Sequence, residues 1–188
     1  MLSAPLSWRR GLAGALLSLL IPGPTVRAAT AAPVPTQAWL DLADNRAKQA
    51  LHAVRDDTAD REAELAAGAA WMSLQPSTDD NLRQADALFV KLAAGGDEIA
   101  AQAAYLQARL YQIHFLQPDY PRAAALFAAL AERQPQSHWA QLGLVKLAMM
   151  KLYVLPDAAG PGHRMAEAET LLARIHESDL QRDLHLQI

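Results

Sequence analysis

Two pairs of residues, each set four apart, restrict what this chain can fold into. Ala85 is followed by Phe89, and Ala123 by Phe127, with 38 residues separating the two pairs. On a helix, positions i and i+4 lie on one face, so each pair sets a methyl group and an aromatic ring on the same stripe. The methyl lets a second helix approach to the close end of the roughly 8–10 Å range, and the ring fills the space beside it. Repetition of the device means that one helical unit is used more than once, and such a unit covers its open apolar face by stacking on the next copy. Alanine and leucine dominate the rest, with only nine glycines. No alternating apolar and polar run flanked by turn residues suggests a strand. The expectation is an all-α chain.

The first residues belong to a different kind of sequence. Arg9 and Arg10 precede a neutral stretch from Gly11 to Ile21, followed by Pro22, Gly23 and Pro24 and by small residues up to Ala31. This is the layout of a secretory signal peptide, expected to be cleaved after Ala28 or Ala31. Residues 1–28 are read as that leader and residues 29–35, with Pro33 and Pro35, as a tether. Eleven residues are too few for a bilayer core, which needs about 20, so no membrane span is expected once the leader is gone. The double arginine fits either a general or a twin-arginine route.

No cysteine is present, which removes disulfides, thiolate metal sites, cysteine nucleophiles and lipid attachment to cysteine. Of the 17 basic residues, Arg9, Arg10 and Arg27 lie in the leader and no acidic residue does, so the mature part carries 14 against 20. Scattered cations in an acidic chain do not make the cationic stripe that nucleic acid or an anionic membrane would need.

Helix signals then follow one another. Apolar residues from Trp39 to Val54 recur at three and four behind Thr36. Asp56, Asp57, Thr58 and Asp60 form a polar joint, and Leu65, Gly68, Ala69 and Met72 continue to Pro76. Together these make an N-terminal hairpin over residues 36–76. Over 77–188, Thr78 and its neighbours cap a helix through Leu92, which Gly95-Gly96 is expected to end in the left-handed conformation. Asp97 opens the next, Pro121 sits in the first turn of a fifth, Ser137 caps a sixth to about Leu152, and a Pro/Gly loop precedes a seventh. Seven antiparallel helices are expected, with Ser178 to Ile188 as the opening of one more, cut short.

The details resemble a tetratricopeptide repeat protein with divergent repeats, over about residues 62 to 176. Ala104, Ala108 and Tyr111 match the first helix of the repeat, and Ala123, Phe127 and Pro135 its second helix and terminator. Trp139, Leu142 and Gly143 open the next unit, which ends with Ala168 and Leu172. An earlier unit has Gly68 and Trp71, then Ala85 and Phe89. Lys146 departs from the pattern, standing where a tyrosine is expected; Asp97 replaces a closing proline, and the loop from Tyr153 to His163 is long. The resemblance implies an α-solenoid whose first helices line a groove for a protein or peptide partner. Transferring the usual groove positions selects Gln102, Tyr105, Arg109 and Gln112 on one helix and Leu144 on the next. An exported, periplasmic scaffold is the function implied. The alternatives are a non-catalytic helical arm of an envelope enzyme, such as a peptidoglycan-cleaving one, and a structural bundle that self-associates through its last helix.

Chemistry is weakly supported by the residues. His163 and Glu167 share a helix face, with His176 and His185 as the nearby supplements, but two ligands do not close a metal site. Asp56/Asp57 and Asp79/Asp80 suit helix starts better than acid and base roles. No phosphate-gripping glycine loop, G-x-S-x-G or H-E-x-x-H is present. No enzyme activity, cofactor or metal is expected, and Trp71, Phe89, Phe127 and Trp139 are assigned to the core.

Overall fold

Small residues set the architecture by letting helices pack closely. In the computed structural model, which describes residues 34–55, 60–156 and 159–188, every regular element among those residues is helical. The order is α1 (Val34–Ala43), α2 (Ala47–Val54), α3 (Arg61–Ser73), α4 (Asp79–Ala93), α5 (Glu98–Arg109), α6 (Tyr120–Arg133), α7 (His138–Tyr153), α8 (Pro161–Leu172) and α9 (Ser178–His185). A π-helical turn, Leu110–His114, continues α5. The expected leader and most of the tether, and Asp56, Asp57 and Thr58 of the polar joint, lie outside the described residues.

Each helix packs on the next along the chain, and the odd-numbered ones also pack on one another: α1 on α3, α3 on α5, α5 on α7 and α7 on α9. No comparable packing joins even helices among the described residues. The odd helices therefore form a layer of their own. Phe89 and Phe127 are both fully buried. Phe89 lies against Gly68 of α3 and Phe127 against Gly143 of α7. Burying each ring stabilises by about 1.5–3 kcal/mol. A second cluster of small residues, Ala38, Ala50, Val54, Ala63, Ala66 and Ala70, joins α1 and α2 to the other side of α3.

Several caps form where the side chains require them. Asp60 accepts from Glu62 N at 2.8 Å, Thr78 from Asn81 N at 3.2 Å, Asp119 from Arg122 N at 3.0 Å and Ser137 from Trp139 N at 3.2 Å. Each satisfies one of the N–H groups that a helix start leaves unpaired. Asp97 accepts from Ala100 N at 2.9 Å and also pairs with Arg61. These bonds, led by the Ala100 amide, hold its carboxyl below the usual value.

Three differences from the expected helices have physical causes. The stripe from Trp39 to Val54 is split into α1 and α2, because Asn45 takes a left-handed backbone (φ 59°), a conformation asparagine tolerates at a helix end. Gly95-Gly96 does not end α4 in the left-handed way, since Gly160 is the described glycine with a positive φ. The missing side chain at Gly95 instead leaves room for Arg61, whose guanidinium reaches Leu92 O at 3.3 Å. At the C-terminus the short piece forms α9, which lies on α7 and α8 and buries Leu184 completely.

A Cβ at Gly68 would stand 2.6 Å from Cε1 of Phe89, whereas at Gly143 the nearest atom is Phe127 Cδ1 at 3.3 Å. Alanine gains about 1 kcal/mol over glycine in a helix, and forcing a methyl into a filled core costs about 1–3 kcal/mol. We therefore expect Gly68→Ala to lower the urea unfolding free energy and Gly143→Ala to leave it within about 1 kcal/mol of wild type.

Candidate functional site

The partly exposed side of α5 is read from its helical spacing. Gln102, Leu106 and Arg109 recur at four and three and are half-buried, while Ala101, Ala104, Tyr105 and Ala108 between them are buried. On α7 the corresponding residues are Leu142, Val145, Lys146 and Met149, all half-buried. Because α5 and α7 are in contact, the two stripes belong to neighbouring helices. The π turn extends the first of them. Its wider coil admits one extra residue per turn, placing Tyr111 inside while Ile113 is 52% exposed.

Charge gathers along this stretch. Arg109 donates to the Gln112 carbonyl oxygen at 2.5 Å. Burial first, and the Arg109 guanidinium second, push the pKa of His114 below its ordinary value, and the same two causes act on Lys146. Among the described residues no carboxylate lies within ion-pair distance of Arg109, Lys146 or His114.

Of the expected groove residues, Gln102, Arg109 and Gln112 lie on the α5 and π-turn segment and are half-buried. Tyr105 and Leu144 do not belong to an open groove. Tyr105 is buried between Phe127 of α6 and Trp139 of α7, with ring centroids 5.7 and 5.4 Å away, and this burial pushes its phenol pKa up. Leu144 is 1% exposed, because α7 is flanked by α5, α6, α8 and α9. Sequence reasoning missed Lys146 and His114 as site residues. Lys146 carried a signal, a cation at an expected tyrosine position on an otherwise apolar helix, and His114 carried none beyond its proximity to Arg109. Trp71 and Trp139 are half-buried at the margin of the core, while Phe89 and Phe127 occupy its interior.

A second polar cluster has the composition of a reactive group but a different role. Asp86 of α4 accepts from Tyr111 Oη at 2.6 Å and from Gln107 Nε2 at 2.9 Å. Arg122 of α6 stacks 3.8 Å from the centre of the Tyr111 ring and approaches Asp86 at 4.0 Å. Burial, then the hydrogen bond to Asp86, raises the Tyr111 pKa. A phenol held protonated this way is a donor and a weak base or nucleophile. The cluster ties α4, α5 and α6 together beside a cavity of about 470 Å³ lined by Tyr111, Phe115, Leu116 and two aspartates. His163 and Glu167 stand 3.9 Å apart, and Glu167 accepts from Lys151 at 2.6 Å. No group of three or more His, Asp or Glu side chains suited to a metal converges among the described residues, and no described helix is long and apolar enough to cross a membrane.

The low His114 pKa has a consequence for stability. The folded state favours the neutral ring, so the unfolded chain binds the proton first, and stability falls as pH drops from the ordinary histidine value of 6.5 through the folded one. We expect the urea midpoint to decrease between pH 7.5 and 5, and His114→Gln to flatten that part of the profile.

The chain matches no protein-family model, and no curated protein or solved structure shows significant similarity to it.

Proposed function

We propose that the chain is an exported helical-repeat binding module, an α-solenoid of tetratricopeptide type acting as an adaptor in the cell envelope rather than as an enzyme. The observation that carries this reading is the packing of the odd helices in chain order, with a stripe of mixed, half-buried side chains on α5 and α7. In this reading a partner peptide or helix lies across those two stripes. The contacts Gly68/Phe89 and Gly143/Phe127 are in keeping with a repeat, since each sets a glycine of an odd helix against a phenylalanine of an even one. Export rests on the leader-like N-terminus alone. Self-association through the last helix receives less support, because Leu184 of α9 is used inside the chain.

Photo-crosslinking in producing cells tests the reading. A photoreactive residue at Gln102, Ile113 or Leu142 is expected to give a discrete adduct, whereas one at Arg83 or Ala125, exposed on α4 and α6, is not. Adducts confined to the α4 and α6 positions, or an equal yield everywhere, would overturn it.

A further inference from the structure

The basic residues of this chain are generally paired. Arg46 pairs with Asp41 and Asp44, Arg61 with Asp97, Lys91 with Glu64, Lys151 with Glu167 and Arg174 with Glu132. That is the arrangement expected where acidic residues outnumber basic ones, since a carboxylate is seldom far away. Lys48 and Arg133 are exposed and have no carboxylate partner among the described residues either, Arg133 donating to Ala93 O at 3.0 Å; Arg109 and Lys146 depart from the pattern while partly buried. They occupy adjacent helices, both half-buried, and neither meets a carboxylate among the described residues. The nearest acid on their own stripe is Glu98, eleven residues before Arg109 and so about 16 Å along the helix. Its carboxylate already accepts from Ser137 Oγ at 3.0 Å. The acids of α9 are also engaged, Asp179 and Asp183 both lying beside Arg182.

Two partly dehydrated like charges close enough to perturb one another are unfavourable in the free protein. A carboxylate placed near both removes that repulsion and supplies the missing hydrogen-bond acceptors. Gln112 already holds the Arg109 fork through its carbonyl oxygen, which limits the freedom that binding would otherwise remove. Leu106 and Ile113 lie beside Arg109, and Leu142 and Met149 beside Lys146, so the same surface offers apolar contact around the charges. Lys146 stands where the repeat pattern carries a tyrosine, so this charge is a feature of the chain itself.

We infer that the partner segment is acidic, with apolar residues among its carboxylates, and that a carboxylate of that segment sits between Arg109 of α5 and Lys146 of α7. This assignment rests on the binding-module reading above. With a pair of cations and apolar flanks, the surface is suited to a few carboxylates and lacks the extended cationic track that a polynucleotide requires.

The test uses the whole chain and three pools of fluorescein-labelled 12-residue peptides with equal apolar content, carrying Glu/Asp, Gln/Asn or Lys/Arg at the polar positions. Anisotropy is expected to show the acidic pool binding about tenfold or more tighter than the amide pool. That preference should shrink between low and high salt and disappear in Arg109→Gln and Lys146→Met. Both substitutions keep a long side chain, and circular dichroism melts verify that the variants fold. Binding of the acidic and amide pools with equal affinity would overturn the acidic assignment and leave the module reading standing. Preferential displacement of bound peptide by a dT12 oligonucleotide over free Glu/Asp peptide would also overturn it. Failure of every pool to bind the wild-type chain would overturn both.

Discussion

Helix backbones approach closely where a glycine meets a phenylalanine, and the rest of the structure depends on that approach. Gly68 receives Phe89, and Gly143 receives Phe127. In each case the ring is fully buried, and at Gly68 it fills a space that exists only because the facing residue has no side chain. With α4 drawn onto α3 and α6 drawn onto α7, α5 occupies the space between, and the alanines at 100, 101, 104 and 108 let it fit there. The odd helices thereby come to lie side by side, which places the stripes of α5 and α7 next to each other. The adjacency of the two stripes is thus a consequence of packing elsewhere on those helices.

Close apolar packing sets distances but fixes registers less well, because many sliding arrangements bury similar area. Polar clasps supply the discrimination. Asp86 has both carboxylate oxygens engaged, one by Gln107 and one by Tyr111, so α4 can sit against α5 in one register. Gln141 makes a comparable clasp from the start of α7. It is 2% exposed, donates to Pro135 O at 2.6 Å and accepts from His176 N at 2.5 Å. A displacement of either helix would leave buried polar atoms unpaired, at about 1–3 kcal/mol for each. These clasps flank the α5–α7 contact in the chain, one before it and one at its start. The relative placement of Arg109 and Lys146 inherits their rigidity.

Much of this was legible in the sequence, and the failures have specific causes. Caps at Asp60, Thr78, Asp97 and Ser137 lie where local side-chain chemistry puts them, because capping depends on a few neighbouring residues. The break at Asn45 was obscured by an apolar stripe that continues in phase on both sides, although asparagine itself is a signal for a helix end. Tyr105 and Leu144 failed as groove residues because the chosen positions were transferred from a repeat whose first helix has one open side. Here α7 is apolar over most of its circumference from Leu142 to Leu152, because it packs on α5, α6, α8 and α9. That composition would have shown Leu144 to be interior. The π turn had no visible signal, since which residue takes up the extra turn depends on how Tyr111 and Leu110 pack on α4 and α6.

Electrostatics gives the final step from architecture to use. The Asp86 cluster and the Arg109 region contain similar residue types, yet the first is saturated and the second is not. In the former, tyrosine, amide and arginine all converge on one carboxylate, and the charges are satisfied within the chain. Such a cluster stabilises the fold and has little left to offer a ligand. In the latter, the guanidinium meets a neutral amide and, among the described residues, no carboxylate. Burial disfavours the charged forms of the nearby histidine and lysine, and Arg109 adds to that effect. One aspartate on either stripe would relieve this repulsion, and no such residue is found among the half-buried positions of α5 and α7. The unrelieved charge is therefore where the proposed acidic segment would act.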